Sequence, residues 1–426
     1  MKRLRDMRLH MVSLGCAKNR VDSEKTLALL QSQGCTITDN PEEADCLLIN
    51  TCGFIGDARR ESVDTILELA EFKKANPNAK LAVMGCMVER FGKEMGEEMP
   101  EIDYLLALSD SSTQEVYRPE NVKRMLEPGV VSAYLKIAEG CGNACSFCSI
   151  PMIRGPLKSR PLNAVVAEAK ELVAVGVKEL VLVAQDTTRY GADLKMKNGL
   201  VTLAKEILAT AKPAWLRIMY LYPTLITDEM IDLIAHEPSL CPYIDVPFQH
   251  IHDAALKRMG RNETKKEIVE LVAKLRRAMP EGAIRTSFIV GFPGETEAEY
   301  KALESFVKEA ELDHVGVFTY SAEEGTKAAD MDDDVPENVK EERAARILEI
   351  QQKISLKKNK AKAGKTFDAL VERYDPENGL LLGRLKTQAP EVDGEVILDE
   401  CEAKPGEIIK VKIKAAMEYD LVGVPA

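Results

Sequence analysis

From Arg8 to about residue 110, short apolar runs alternate with longer stretches in which apolar positions recur at helical spacing. LHMVSLG, CLLIN, KLAVMG and YLLAL read as strands, each apolar nearly throughout. VDSEKTLALLQSQG, DARRESVDTILELAEFKKA and MVERFGKEM lie between them and read as helices, the first stopping at Gly34. Strands without a polar face, separated by helices, predict an open parallel α/β sheet with right-handed crossovers. We draw this domain over residues 8–120, with a polar linker carrying Pro119 and Pro128 at 112–130.

The β/α alternation resumes over residues 131–335. SAYLKIA, ELVLVAQD, WLRIMYLYP, YIDVPF, AIRTSFIVGFP and HVGVFTY are its strands, and PLNAVVAEAKELVAVG and KKEIVELVAKLRRAM are two of its helices. Six such units predict a partial (β/α)6 barrel rather than a closed ring. Residues 336–363 form a long charged helix, expected as a solvated connector. From 364 to 426 the pattern changes to short alternating strands separated by turn residues, which predicts a small antiparallel β-barrel.

Charge and cysteine content narrow the chemistry. The chain carries 57 Lys and Arg against 69 Asp and Glu, a net charge of −12. Binding of naked nucleic acid draws on a basic face, so an acidic chain leans toward small molecules or a basic protein partner. No apolar run is long enough to span a membrane, and the basic start MKRLRDMRLHMVSLGC lacks the apolar core of a signal peptide. The expected location is the reducing cytoplasm, where disulfides do not persist. Ten cysteines in such a chain point to metal ligands or catalytic groups.

In EGCGNACSFCSIP, Cys141, Cys145 and Cys148 are spaced C-x3-C-x2-C just after a predicted strand. Three thiolates in one loop can hold three irons of a [4Fe–4S] cube and leave the fourth iron open to a substrate. A structural zinc site wants four ligands and no His is adjacent, so zinc fits poorly; buried, inert thiols are the other alternative. Cys16, Cys52 and Cys86 each close a predicted strand, in SLGC, INTC and VMGC. A lone cysteine there is usually a small buried hydrophobe. Ligands of open α/β sheets bind beyond the carboxyl ends of the strands, and three strand-end thiols on one edge suggest a second cluster, again with an open iron. Cys35, Cys46, Cys241 and Cys401 show no pattern and read as structural.

CGNACSFCSIP at the end of the first strand of a partial β/α barrel resembles the radical S-adenosylmethionine superfamily. The resemblance implies that the open iron chelates S-adenosylmethionine and that reductive cleavage yields a 5′-deoxyadenosyl radical. Other strand ends fit such a site: Gln185, Asp186 and Thr187 follow one strand, and Gly291, Gly294 and Glu295 follow another. The glycines would let an adenosine approach the backbone. Arg217 is either a carboxylate anchor or a structural ion pair. The candidate cofactor-binding set is therefore Gln185, Arg217, Gly291 and Glu295. His250 and His252 read as structural, no carboxylate pair or Ser/His/Asp arrangement stands out, and no catalytic side chain is assigned.

The three-cysteine α/β domain, the radical barrel and the terminal β-barrel together resemble the methylthiotransferases, the last part resembling a TRAM domain that helps to dock the substrate. This implies two [4Fe–4S] clusters and S-adenosylmethionine as both methyl donor and radical source. It also implies an electron donor protein such as a flavodoxin or ferredoxin. MVSLGCAKNRVDSE and YIDVPFQHIHDAALKRMGR resemble the branch that methylthiolates the β-carbon of an aspartate in the small-subunit ribosomal protein numbered twelve. The alternative branch modifies transfer-RNA adenosine and usually has Gln-Ser-Gly where this chain has Gln249-His250-Ile251. Residues 364–426 carry eight Lys and Arg against thirteen Asp and Glu, which disfavours direct RNA binding and favours a basic protein, though the KVKIK strand leaves a local RNA contact open.

Overall fold

The computed structural model describes residues 7–107 and 123–426, so most of the expected linker at 112–130 lies outside the described residues. Two compact units emerge. One takes the chain up to Glu127 together with Glu139–Gly142 and Ser149–Lys158. The other takes Pro128–Ala138, Asn143–Cys148 and Ser159–Ala426. The chain thus passes between units several times around the central cysteines.

In the first unit, β1 (Arg8–Ser13), β2 (Thr36–Ile37), β3 (Cys46–Thr51), β4 (Lys80–Gly85) and β5 (Tyr104–Leu106) form a wholly parallel sheet of order β2-β1-β3-β4-β5. Every residue of β3 is buried, as befits a strand covered on both faces. Helices α1 (Ala17–Ser32), α2 (Gly56–Ala75) and α3 (Cys86–Glu98) make the crossovers. The order reverses between β1 and β3, so the topological switch point falls where β1 and β3 end.

The second unit holds the predicted six strands: β6 (Ser132–Lys136), β9 (Glu179–Val183), β10 (Trp215–Ile218), β11 (Tyr243–Asp245), β12 (Ala283–Val290) and β13 (His314–Thr319). The short strands β7 (Ala138–Glu139) and β8 (Lys158–Ser159) form a separate pair. The six strands are parallel but divide into two sheets, β10-β9-β6 and β11-β12-β13, joined by the isolated bridge between Leu216 and Leu240 and the bond from Leu221 N to Asp245 O (2.8 Å). Capping boxes at Thr264 with Glu267 and Thr296 with Glu299 start two of the outer helices.

The charged helix Glu337–Lys360 differs from expectation. Lys340, Arg343, Ile347, Ile350, Gln351, Ile354, Ser355 and Asn359 are buried on one face, packed on β13 and on helix Glu297–Ala310. It is a layer of the barrel unit rather than a solvated connector. Its long polar side chains pack their stems and find internal partners, so charge content masked the buried stripe.

The tail closes into a five-stranded barrel of β14 (Thr366–Asp375), β15 (Leu380–Leu385), β16 (Val396–Leu398), β17 (Ile408–Ala416) and β18 (Leu421–Pro425), in the order β14-β15-β16-β18-β17. One ladder, β16 with β18, is parallel, so the barrel is not purely antiparallel as expected. It sits against the amino-terminal ends of the unit's parallel strands. Arg384 of β15 reaches Glu179, Glu372 and Ser132, and Arg217 donates to Glu179 (2.7 Å) and to Lys386 O (2.9 Å). Asp393 gathers Tyr243 (2.6 Å), Arg285 (2.6 Å) and His314 (3.2 Å). Among the described residues no helix is long and apolar enough to cross a membrane.

Candidate functional site

The first unit brings its three strand-end cysteines to the switch point. Cys16 is the N-cap of α1, Cys52 follows β3, and Cys86 opens α3. Gly15 has φ +90°, and a Cβ there would lie 3.1 Å from the Cβ of Cys52, so the β1 loop is folded against the end of β3. Asn19 fastens the two by donating to Leu14 O (3.1 Å) and Thr51 O (3.0 Å). Two helix amino termini and Arg154, whose Nη2 lies 3.2 Å from Cys86 Sγ, set positive potential around the thiols.

The thiols sense one another. Burial pushes Cys52 up to about 11; the Phe54 N–H offsets part of this, while Cys86 and Cys16 add to it. Burial also raises Cys86, against the pull of Arg154, and Cys16 reinforces the rise. For Cys16 the enclosing protein acts to raise the thiol, but Lys18, the N–H groups of Asn19 and Lys18, and Arg154 together bring it below its ordinary value. Crowded thiols suit metal ions that take the place of their protons, and the positive charge beside them favours the thiolate form that such ligands need. No three His, Cys, Asp or Glu side chains among the described residues converge as on a single ion. A cube differs in binding each of its thiolates through a different iron.

Backbone bonds hold the parts of the central cysteine segment within their own units. On the first unit's side, Cys141 N donates to Gly155 O (3.2 Å). Gly140 has φ +71°, and a Cβ there would fall 2.1 Å from Pro156 O, so only glycine fits. On the second unit's side, Ser146 N donates to Met259 O (2.9 Å), Ala328 N to Ser146 O (2.8 Å) and Cys148 N to Cys145 O (3.3 Å). Asn143 donates to Asp186 (2.7 Å) and accepts from Arg189 (3.0 Å). Arg261, stacked on Tyr222 and paired with Glu263, has Nη1 3.7 Å from Cys145 Sγ. One guanidinium thus lies on a sulfur here, as at Cys86.

The other expected cofactor residues fare differently. Gln185 follows β9 at the carboxyl rim, half-buried, beside Asp186. Arg217 is fully buried in β10, bound to Glu179 and Lys386 O toward the opposite strand end, so the ion-pair reading replaces the carboxylate anchor. Glu295 is also committed internally. His250 Nε2 lies 3.2 Å from one of its oxygens, while Gly291 N (2.8 Å) and Arg343 (2.6 Å) donate to the other. Glu295 therefore shapes the turn after β12. Gly291 is required for a different reason from the one expected: a Cβ would lie 2.2 Å from Lys340 Cγ. Both histidines are structural, as anticipated. His250 Nδ1 accepts from His252 N (2.9 Å), and His252 caps helix Asp253–Arg258.

Sequence reasoning passed over Arg154, Asn19 and Arg261. The signal was faint: Arg154 closes the SIPMIRG stretch directly after the third central cysteine, and Asn19 lies three residues beyond Cys16.

Three family models match consecutive parts of the chain: the uncharacterized protein family UPF0004 at residues 8–107, the radical SAM superfamily at 135–307 and the TRAM domain at 363–425. Similarity to individual proteins runs the full length. The ribosomal protein uS12 methylthiotransferase RimO of Geobacter sulfurreducens is 44% identical, over 98% of this chain and 98% of its own. RimO of Trichlorobacter lovleyi is 44% identical over 99% of both chains, and RimO of Clostridium perfringens 43% over 97% of both. The chain belongs to the RimO family of methylthiotransferases. The fold is also that of a radical S-adenosylmethionine methyltransferase, TsrM from Kitasatospora setae, solved with cobalamin and a [4Fe-4S] cluster. It aligns at a TM-score of 0.53 and 14% identity, over 85% of this chain and 80% of that one. The enzyme OxsB aligns at 0.52 with 11% identity, over 82% and 56%. Membership of the RimO family and of the radical SAM superfamily implies [4Fe–4S] clusters and S-adenosylmethionine, and both cysteine sets of this chain suit such clusters by donor type.

Proposed function

We propose that this chain transfers a methylthio group to the β-carbon of an aspartate in ribosomal protein uS12. The observation that carries the reading is the full-length 44% identity to curated RimO proteins, joined to two three-cysteine sets, each with an arginine at one sulfur. When bound, the central cluster supplies the electron that cleaves S-adenosylmethionine, and the outer cluster handles sulfur.

The chain's own residues take the positioning roles. Cys141, Cys145 and Cys148 hold the central cluster, in a loop fixed by Gly140, Ser146 and Asn143. Cys16, Cys52 and Cys86 hold the outer one. Gln185 is the rim side chain left to face S-adenosylmethionine. The acidic terminal barrel caps the far strand end, so its charge acts on the approach of a basic protein rather than at the reacting carbon. A flavodoxin or ferredoxin supplies electrons, and the work is done in the cytoplasm.

Mass spectrometry decides the substrate. In a strain lacking this activity, expression of the chain should restore methylthiolation of the uS12 aspartate and leave transfer-RNA nucleosides unchanged. Appearance of a methylthiolated adenosine with unmodified uS12 would refute the proposal. Roles of the two sets separate by substitution. Changing Cys141, Cys145 and Cys148 to Ala should abolish cleavage of S-adenosylmethionine. Changing Cys16, Cys52 and Cys86 to Ala should leave cleavage largely intact and block sulfur insertion; equal loss of cleavage in both variants would contradict this division.

A further inference from the structure

Arg154 ends the helix Ile150–Arg154 and is 5% exposed, in the same unit as Cys16, Cys52 and Cys86. Its guanidinium reaches four groups. Nη1 donates to Asp22 (2.9 Å) and lies 3.3 Å from Glu139; Nη2 donates to Asn19 Oδ1 (2.6 Å) and lies 3.2 Å from Cys86 Sγ. The two carboxylates already more than neutralise the guanidinium, so the contact with sulfur needs another reason. Asn19 is itself locked by Leu14 O and Thr51 O, and the frame therefore aims one nitrogen at the thiol. On its other side, Gly155 O accepts the Cys141 N–H, and a Cβ on Gly140 would lie 2.5 Å from that same oxygen. One dipeptide is bonded to a member of each cysteine set: the side chain to Cys86, the backbone to Cys141.

Given the reading that Cys16, Cys52 and Cys86 hold a cluster, we propose that Arg154 is a positioning residue for it. The side chain fixes the Cys86 ligand and donates a hydrogen bond to its sulfur, which raises the cluster's reduction potential. Through Gly155 the same segment ties that ligand to the loop of Cys141. The physical reason is general: a donor or a positive charge on a ligand sulfur stabilises the reduced, more negative cluster. Lysine is no equivalent, because one ammonium cannot span Asp22, Asn19 and Cys86 as a planar guanidinium does.

The test is a redox titration followed by electron paramagnetic resonance. It uses the full-length chain with Cys141, Cys145 and Cys148 changed to Ala, reconstituted anaerobically with iron and sulfide, so that only the outer cluster gives signal. R154Q should retain iron with a midpoint potential shifted downward, and R154K should shift less in the same direction. An unshifted midpoint in iron-loaded R154Q overturns the proposal; if R154Q fails to fold, an unshifted R154K does so. A folded C16A/C52A/C86A chain that binds as much iron as the unaltered one would instead remove the cluster reading on which the proposal rests.

Discussion

Single residues carry large consequences here because charges and backbone angles are buried together. Glu179 shows this best. Burial acts to raise its carboxyl, but Arg384 and Arg217 hold it down at about 2. A carboxyl depressed in the folded state adds stability above its unfolded value, about 4, and that stability is lost as pH falls from there toward about 2. Wild type should therefore lose more stability than E179Q between about pH 5 and pH 3, measured as the shift in denaturant midpoint. Removing the partner is harsher. R384A leaves the buried Glu179 with Arg217 as its one remaining cationic partner and takes the guanidinium from Glu372, and should cost about 3–5 kcal/mol at neutral pH. Backbone matters equally at Gly140. G140A must place a Cβ at φ +71° against Pro156 O, costing on the order of 1–3 kcal/mol in strain before the clash is counted. The expected readout is iron lost from the central site while the outer cluster's signal persists.

At the scale of elements, strands were the most legible. All four early runs and all six later ones became strands, because a short apolar run between turn signals has few other uses. Cys16, Cys52 and Cys86 were legible for the same reason, since each follows a strand, whereas Cys141, Cys145 and Cys148 were legible by their C-x3-C-x2-C spacing. Arg217 and Glu295 were not, since a charged residue in or after a strand looks alike whether it meets a cofactor or another side chain. Only the fold supplied their partners, Glu179 for one and Arg343 with His250 for the other. The helix Glu337–Lys360 was misjudged because its buried stripe is interleaved with Lys and Arg whose stems also pack. Ile347 on that stripe is fully buried. I347A should lower stability by about 2–4 kcal/mol, whereas a change at the exposed Leu348 should cost well under 1 kcal/mol by the same chemical-denaturation measurement.

At the scale of the molecule, the terminal barrel is part of the unit it caps. Its Arg384 and Lys386 close the amino-terminal ends of the parallel strands over Glu179, Arg217 and Trp215. A chain ending at residue 363 would take Arg384 from Glu179 and the Lys386 carbonyl from Arg217 and expose the underside of the barrel. Such a truncation should aggregate or melt at a clearly lower temperature by circular dichroism; an unchanged melting transition would show the barrel to be separable.

Local pattern was enough for the order of the main elements and the three-part architecture, and it singled out both cysteine sets as candidates, because periodicity, spacing and strand-end placement are local properties. The tertiary structure alone decided which charges answer which. It placed Arg154 on Cys86, Arg261 on Cys145 and Arg384 on Glu179, pairs separated by 68, 116 and 205 positions. Partners that far apart leave no trace in local pattern, since what selects them is burial in a common low-dielectric interior.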